Sequence, residues 1–312
     1  MKLSDIGERR AIDIMADIYG SVSLDDCATI DNGDDVILVT SDMVSGASHF
    51  PPGTSPRQMG WFVVAVNLSD LAGKGGRPLG VLLSLGLPGS LDADFIEDFA
   101  MGAHDCATAY DTSVIGGDTK EMHEVTLCGM ALGRMRRDAY MSRTGAAPGD
   151  LVCVTGTLGR AGRALDCLRD GSDNAALRDL LHVEPRIDAG RALAATQAVH
   201  ASMDISDGLA ASLYQLSRVN GCGFTVDADR MPLSSHATLE HALYDGGDYE
   251  LLFTVPPEAH EQVAGVLQAV GCPVSVVGEV IETRELLLRR DSGTETLEHR
   301  GYEHFIDRGK TL

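Results

Sequence analysis

Short apolar runs alternate with segments of helical spacing along nearly the whole chain, and the best break in that alternation lies at 136–150. That interval carries Gly145, Pro148 and Gly149 but few large apolar residues, the composition of a boundary between folding units. A chain patterned this way folds as layered helix and sheet, an α/β (α+β) architecture in two mixed domains, 1–137 and 138–312. With 312 residues, 44% of them apolar, there is material for two cores.

In the first half, Ser4 is placed to cap a helix with Ile6, Ala11, Ile14, Met15 and Ile18 near helical spacing, and Gly20 to stop it. Strands at 27–30 and 36–40 flank Asn32-Gly33, a dipeptide suited to a type I′ hairpin turn. The open end of that hairpin then sets Asp25 and Asp26 beside Thr40, Ser41 and Asp42. A helix over 55–71 follows, then a strand at 79–87, a helix over 91–110, a strand at 113–115 entering Gly116-Gly117-Asp118, and a long strand at 125–135. In the second half, strands are expected at 151–155, 201–205, 223–227, 249–255 and 274–280, with helices over 160–169, 186–197, 208–219 and 257–270.

The formal charge of -21 argues against nucleic acid or an anionic membrane as partner, since phosphate surfaces demand clustered Lys and Arg. No run of about 18 apolar residues occurs and the first residues lack a secretory pattern, so a cytoplasmic protein is expected. Seven scattered cysteines, none in a C-x-x-C pair, read as reduced thiols. Only four lysines stand in the chain, and Asp outnumbers Glu about two to one, a bias that suits a salty cytoplasm.

Several aspartates fall where elements end, in small or hydroxylic company: Asp26, Asp42, Asp70, Asp118, Asp204 and Asp207. Read singly, each is a cap or turn residue. Read together, they suit several magnesium ions bridging a polyphosphate, because hard cations take oxygen ligands and borrow only one or two carboxylates apiece. Asp34 and Asp35 decorate the hairpin tip. Gly156 to Gly162, between a strand and a helix, offers backbone N–H groups to an anion, though weakly. There is no G-x-x-x-x-G-K-[ST] loop, no G-x-G-x-x-G after a strand and no G-x-S-x-G elbow. His49, alone, reads as a core or loop histidine.

The ordered set of motifs resembles the thiamine-monophosphate kinase family. It runs through Asp25-Asp26-Cys27-Ala28, Thr40-Ser41-Asp42, Gly46, His49-Phe50 and Asn67-Leu68-Ser69-Asp70-Leu71-Ala72. It continues with Gly116-Gly117-Asp118-Thr119, Arg143-Thr144-Gly145, Thr155-Gly156-Thr157-Leu158-Gly159, Asp204-Ile205-Ser206-Asp207-Gly208, Asp248-Tyr249-Glu250 and Gly301-Tyr302-Glu303-His304-Phe305. The resemblance implies a fold shared with aminoimidazole ribonucleotide synthetase, with N-terminal domains pairing in a homodimer through a sheet or barrel. It further implies that Asp26, Ser41, Asp42, Asp70, Asp118, Asp204 and Asp207 hold magnesium, and that Thr40, Gly117, Asp118, Arg143 and Ser206 touch ATP. His49, Tyr302 and Asp245 would touch thiamine monophosphate, which would take the γ-phosphoryl group of ATP in line without a general base.

Two departures stand out: Val22-Ser23-Leu24 replaces the family's Gly-Ile-Gly, and Asp245-Gly246-Gly247 replaces Gly-Gly-Glu before Asp248. The second places Gly247 where the family has a glutamate near the substrate. The alternative readings are therefore a superfamily enzyme with another phosphorylated or carbonyl acceptor, and a non-catalytic nucleotide-binding relative. The selenophosphate-forming and hydrogenase-maturation branches are disfavoured, because Cys27 sits inside the metal motif and no thiol follows Cys272.

Overall fold

The computed structural model describes residues 2–20, 24–171 and 175–305. Val22 and Ser23 of the first departure lie outside them. The first sheet has the order β1-β2-β5-β3-β4, built from Ala28–Asn32 (β1), Asp35–Ser45 (β2), Arg77–Leu87 (β3), Val114–Glu121 (β4) and Thr126–Arg136 (β5). All its pairings are antiparallel except β3 with β4, which the helix Ala93–Ala109 connects. The second sheet has seven strands: Leu151–Thr155 (β6), Ala201–Asp204 (β7), Gly223–Asp227 (β8), Leu251–Val255 (β9), Val274–Ile281 (β10), Leu286–Arg290 (β11) and Gly293–Thr296 (β12). Their order is β12-β11-β8-β10-β6-β9-β7. The mixed α/β layering expected from the alternation is thus what the chain adopts.

Helix Pro56–Lys74 is the pivot between the two sheets. Ser55 starts it: its hydroxyl accepts from the backbone N–H of Gln58 while the Gln58 side chain accepts from the Ser55 N–H. From Phe62 to Ala72 every residue but Asp70 is buried, because the helix is covered on one side by β2 and β5 and on the other by β7 and the helix Ile187–Thr196. Glycines permit this tightness. A Cβ at Gly60 or Gly102 would lie 2.0 or 1.9 Å from a backbone oxygen of the helix packed against it, and one at Gly190 would lie 2.0 Å from the Ala72 carbonyl.

Two local expectations shift. The hairpin loop is Gly33-Asp34, with Asn32 paired to Asp35, so Asn32 closes β1 and Gly33 alone takes positive φ (68°). The first helix begins at Leu3, one residue before the expected Ser4 cap, with the Lys2 N–H donating to Asp5 Oδ2 at 2.7 Å; Gly7 breaks it and Gly20 ends it in the left-handed region, as expected.

Candidate active site

The acidic centre starts from the last turns of the pivot helix. Spacing of three and four residues places Asn67, Asp70 and Lys74 on one stripe, facing the end of the β1–β2 hairpin. Asn67 is fixed at both ends: its amide donates to the Val63 carbonyl at 2.8 Å, and its oxygen accepts the Asp42 N–H at 3.1 Å. Gly129 of β5 leaves the room, since a Cβ there would meet Asn67 Nδ2 at 2.2 Å. Thr40 donates its hydroxyl to Asp70, and Ser69 donates to Asp204 Oδ2 at 2.6 Å. Gly73 lets the hairpin and β7 close on the helix, for a Cβ there would lie 2.9 Å from Asp26 Oδ2 and 3.1 Å from the Asp204 nitrogen.

Asp26, Asp70 and Asp204 each present a carboxylate oxygen, all within 4.8 Å of one another. Burial raises the Asp204 pKa to about 7, with the Asp26 charge adding to it. Burial and the neighbouring Asp26 bring Asp42 to about 6, and burial with three neighbouring carboxylates holds Asp70 well above the usual range. Asp207 also rises to about 6, by burial first and Glu8 second. Asp26 Oδ2 is buried and receives no hydrogen bond. An Asp26 oxygen with no hydrogen bond, ion-paired to the Lys74 ammonium at 2.9 Å and set among mutually repelling carboxylates, keeps lone pairs for a hard divalent cation, and this donor set is all oxygen. Arg143 clamps the other Asp26 oxygen, with its Nε at 2.7 Å, and also donates to Gln215 at 2.8 Å.

Beside the acids stands an aromatic group. The His49 ring lies 6.4 Å from Phe62, 6.5 Å from Tyr302 and 5.8 Å from His304. Burial, with help from His304, lowers the His49 pKa to about 4, so its imidazole is neutral and Nδ1 pairs with the Ser48 hydroxyl at 2.6 Å. Tyr249 joins the two halves of the site: it packs edge-on to Phe62 at 6.2 Å, and the charges of Asp42, Asp204 and Asp207 bear on its phenol. Its φ of 54° is unusual for a tyrosine and is held by hydrogen bonds that zip the 204–206 loop to 247–250: Tyr249 N–H to Ile205 at 2.9 Å and Gly247 N–H to Ser206 at 2.8 Å. Tyr302 is tied to the same loop, its N–H donating to the Asp207 carbonyl at 3.1 Å.

Asp26, Thr40, Asp42, Asp70, Arg143, Asp204 and Asp207 therefore converge, with Ser206, His49 and Tyr302 bordering them. Ser41, Gly117 and Asp118 stand apart in this chain. Thr40 and Asp42 face the pivot helix, so Ser41 points from the opposite face of the sheet, where its hydroxyl donates to the Gly129 carbonyl at 3.0 Å. Asp118 lies in the cross-strand row Met43, Cys128, Ser84, Asp118, three strands and about 14 Å along the sheet from β2, with its side chain 64% exposed. Asp245 lies against Gly162, whose Cβ would come 2.5 Å from Asp245 Oδ2. The Gly156 to Gly162 turn is not open to an anion: the Asp248 carboxylate already accepts from Gly159 and Ala161 N–H groups. Residue spacing alone missed Lys74 and Tyr249. A lone lysine four positions after Asp70 in a helix otherwise poor in charge was the available signal.

The chain matches the AIR synthase related protein families, the N-terminal domain over residues 24–135 and the C-terminal domain over 147–289. A thiamine-monophosphate kinase of Methanospirillum hungatei is 35% identical over 95% of this chain and 99% of its own length, and one of Halobacterium salinarum is 38% identical over 88% and 92%. The chain belongs to the thiamine-monophosphate kinase family. The solved structure of AaThiL complexed with AMPPCP and TMP superposes with a TM-score of 0.88 at 29% identity, covering 97% of this chain and 99% of that one. Among the described residues no helix is long and apolar enough to cross a membrane.

Proposed function

We propose that this family member transfers the γ-phosphoryl group of ATP to the phosphate of thiamine monophosphate, giving thiamine diphosphate and ADP. The observation that carries the reading is a carboxylate cluster, Asp26, Asp70 and Asp204, bridged by Tyr249 to an aromatic wall of His49, Phe62 and Tyr302. A substrate with a heteroaromatic body and a phosphate tail matches that division. An oxygen of the substrate phosphate forms the new P–O bond as the bond to ADP breaks, and because the attacking phosphate is already an anion no side chain has to remove a proton.

Asp26, Asp42, Asp70, Asp204 and Asp207 would hold magnesium ions. When bound, magnesium supplies the positive charge that offsets the triphosphate and the developing charge on the transferred group. The chain's own part is placement. Asn67, Thr40 and Ser69 fix the carboxylates, Arg143 stands ready for a nucleotide phosphate, and neutral His49 lines the acceptor side without adding charge.

A homodimer completes the reading. The outer face of the first sheet exposes Met43, Met130 and Ile115, an apolar surface that a second copy would cover. Gly117, Asp118 and Ser41 lie on that sheet at or near this face, so their nucleotide and metal roles would be exercised against the partner. Gly247 bears on the choice of acceptor: its φ is 104°, and a Cβ there would meet Ala161 at 2.9 Å, so a glutamate could stand there only if the loop moved.

The test is formation of thiamine diphosphate from thiamine monophosphate, ATP and magnesium, in the parent and in Asp70→Asn. Product from the parent and a loss of at least 1,000-fold in the variant, with the fold retained, are expected. A parent that binds ATP yet makes no thiamine diphosphate would turn the reading toward another acceptor.

A further inference from the structure

Lys74 has no place in the chemistry above, yet it lies in the floor of the site with its side chain 0% exposed. Its ammonium donates to Asp25 and, at 2.6 Å, to the Ser202 carbonyl, and it stands 2.9 Å from Asp26 Oδ2, the oxygen that lacks a hydrogen bond. Asp25 is further held by the Ser142 hydroxyl at 3.0 Å and the Arg143 N–H at 3.2 Å. Asp25, Asp26, Lys74 and Arg143 thus form a buried quartet with two charges of each sign. Among the described residues, Asp42, Asp70 and Asp204 form no ion pair with a lysine or arginine. Filling this volume needs only an apolar side chain, and a buried ammonium is expensive unless its charge is used.

We infer that Lys74 is a resident cation of the acidic cluster, which neutralises Asp25 and Asp26 and competes with a divalent ion for Asp26, so that the nucleotide-free site takes up metal weakly. The inference rests on the proposed metal role of the cluster. Both Asp26 oxygens face cations, Arg143 on one and Lys74 on the other, and each divalent ion approaching Asp26 Oδ2 meets the ammonium at close range. Asp25 acts as the counterweight: by sharing the ammonium it loosens the hold of Lys74 on Asp26. Lys74 is a positioning residue, and its effect is read in metal uptake before turnover.

The experiment is titration of the nucleotide-free full chain with manganese, followed by electron paramagnetic resonance and calorimetry, for the parent, Lys74→Met, Asp25→Asn and Asp70→Asn. Lys74→Met is expected to bind manganese at least tenfold more tightly or to take up one additional ion. Asp25→Asn, which leaves Asp26 as the carboxylate paired with the ammonium, is expected to bind at least threefold more weakly. Unchanged or weaker binding in Lys74→Met overturns the inference, as does unchanged or tighter binding in Asp25→Asn, which also decides the matter should Lys74→Met not fold. Asp70→Asn separates the two levels of argument. Weaker binding there beside an unaffected Lys74→Met defeats only the role of Lys74, whereas unaffected binding in Asp70→Asn defeats the metal reading itself.

Discussion

Replacing Asp204 by asparagine should make the metal-free protein more stable, increasingly so as pH rises from about 4 to 7. Asp204 is buried, and its pKa stands at about 7 against an ordinary 3.8. A carboxyl whose folded pKa is raised binds its proton more tightly in the folded state, so its contribution is whole below pH 3.8 and is lost as pH climbs through 7. Three units correspond to about 4 kcal/mol. Asparagine keeps the shape and can still accept the Ser69 hydroxyl, but it never ionises. The advantage of Asp204→Asn over the parent should therefore grow from about 2 kcal/mol at pH 5 to about 4 kcal/mol at pH 8. Guanidinium denaturation in the presence of a chelator at both pH values measures it directly. Magnesium added at pH 8 should then stabilise the parent far more than the variant. A variant no more stable than the parent at pH 8, or an advantage that ignores pH, would refute the idea that burial, with the Asp26 charge adding to it, disfavours ionised Asp204 in the folded chain.

Three further outcomes are expected. Gly102→Ala drives a methyl group to 1.9 Å from the Arg57 carbonyl and should cost about 2 to 3 kcal/mol in chemical denaturation as the two helices separate. Glu250→Gln leaves Arg186 without the carboxylate that accepts its Nε at 2.8 Å, while Thr155 keeps an acceptor; because Arg186 is partly exposed, a loss of about 2 to 3 kcal/mol at pH 7 is expected by the same method. His49→Ala should raise the KM for thiamine monophosphate about tenfold or more with a smaller change in kcat, measured by initial rates, because the ring lines the acceptor side and not the phosphates.

Much of this arrangement was legible in the residue order. The helix starting near Ser55, the Gly20 stop and the alternation of strand with helix are local signals, and local signals survive folding. The gathering of Asp26, Asp42, Asp70, Asp204 and Asp207 was also readable from their small and hydroxylic company, although only Asp204 closes an element, and Asp42 and Asp70 lie inside β2 and the pivot helix on faces turned to each other. What could not be read depended on which face a side chain takes. Asp118 looked like a turn residue after two glycines, but β4 runs on through them to Glu121 and carries Asp118 onto the outer face. Asp248 belongs to the Asp248-Tyr249-Glu250 motif, and it spends its carboxylate on N–H groups at the start of the helix Arg160–Arg169. Lys74 passed as one of four lysines because nothing in spacing alone announces a wholly buried ammonium. The unanticipated strands β11 and β12 join the far edge of the second sheet, where nothing about the chemistry called for them.

The glycine contacts around the pivot helix have a bearing on ion choice. A helix whose Gly60 sits against the Phe99 carbonyl and whose own Ala72 carbonyl sits against Gly190, with Gly73 closed on Asp26, cannot slide to let its carboxylates spread apart. A cage that cannot dilate discriminates by ionic radius: calcium prefers oxygens at about 2.3–2.6 Å and magnesium at about 2.0–2.1 Å. For the metal role proposed above, stiffness in the backbone would thereby become selectivity for the smaller ion.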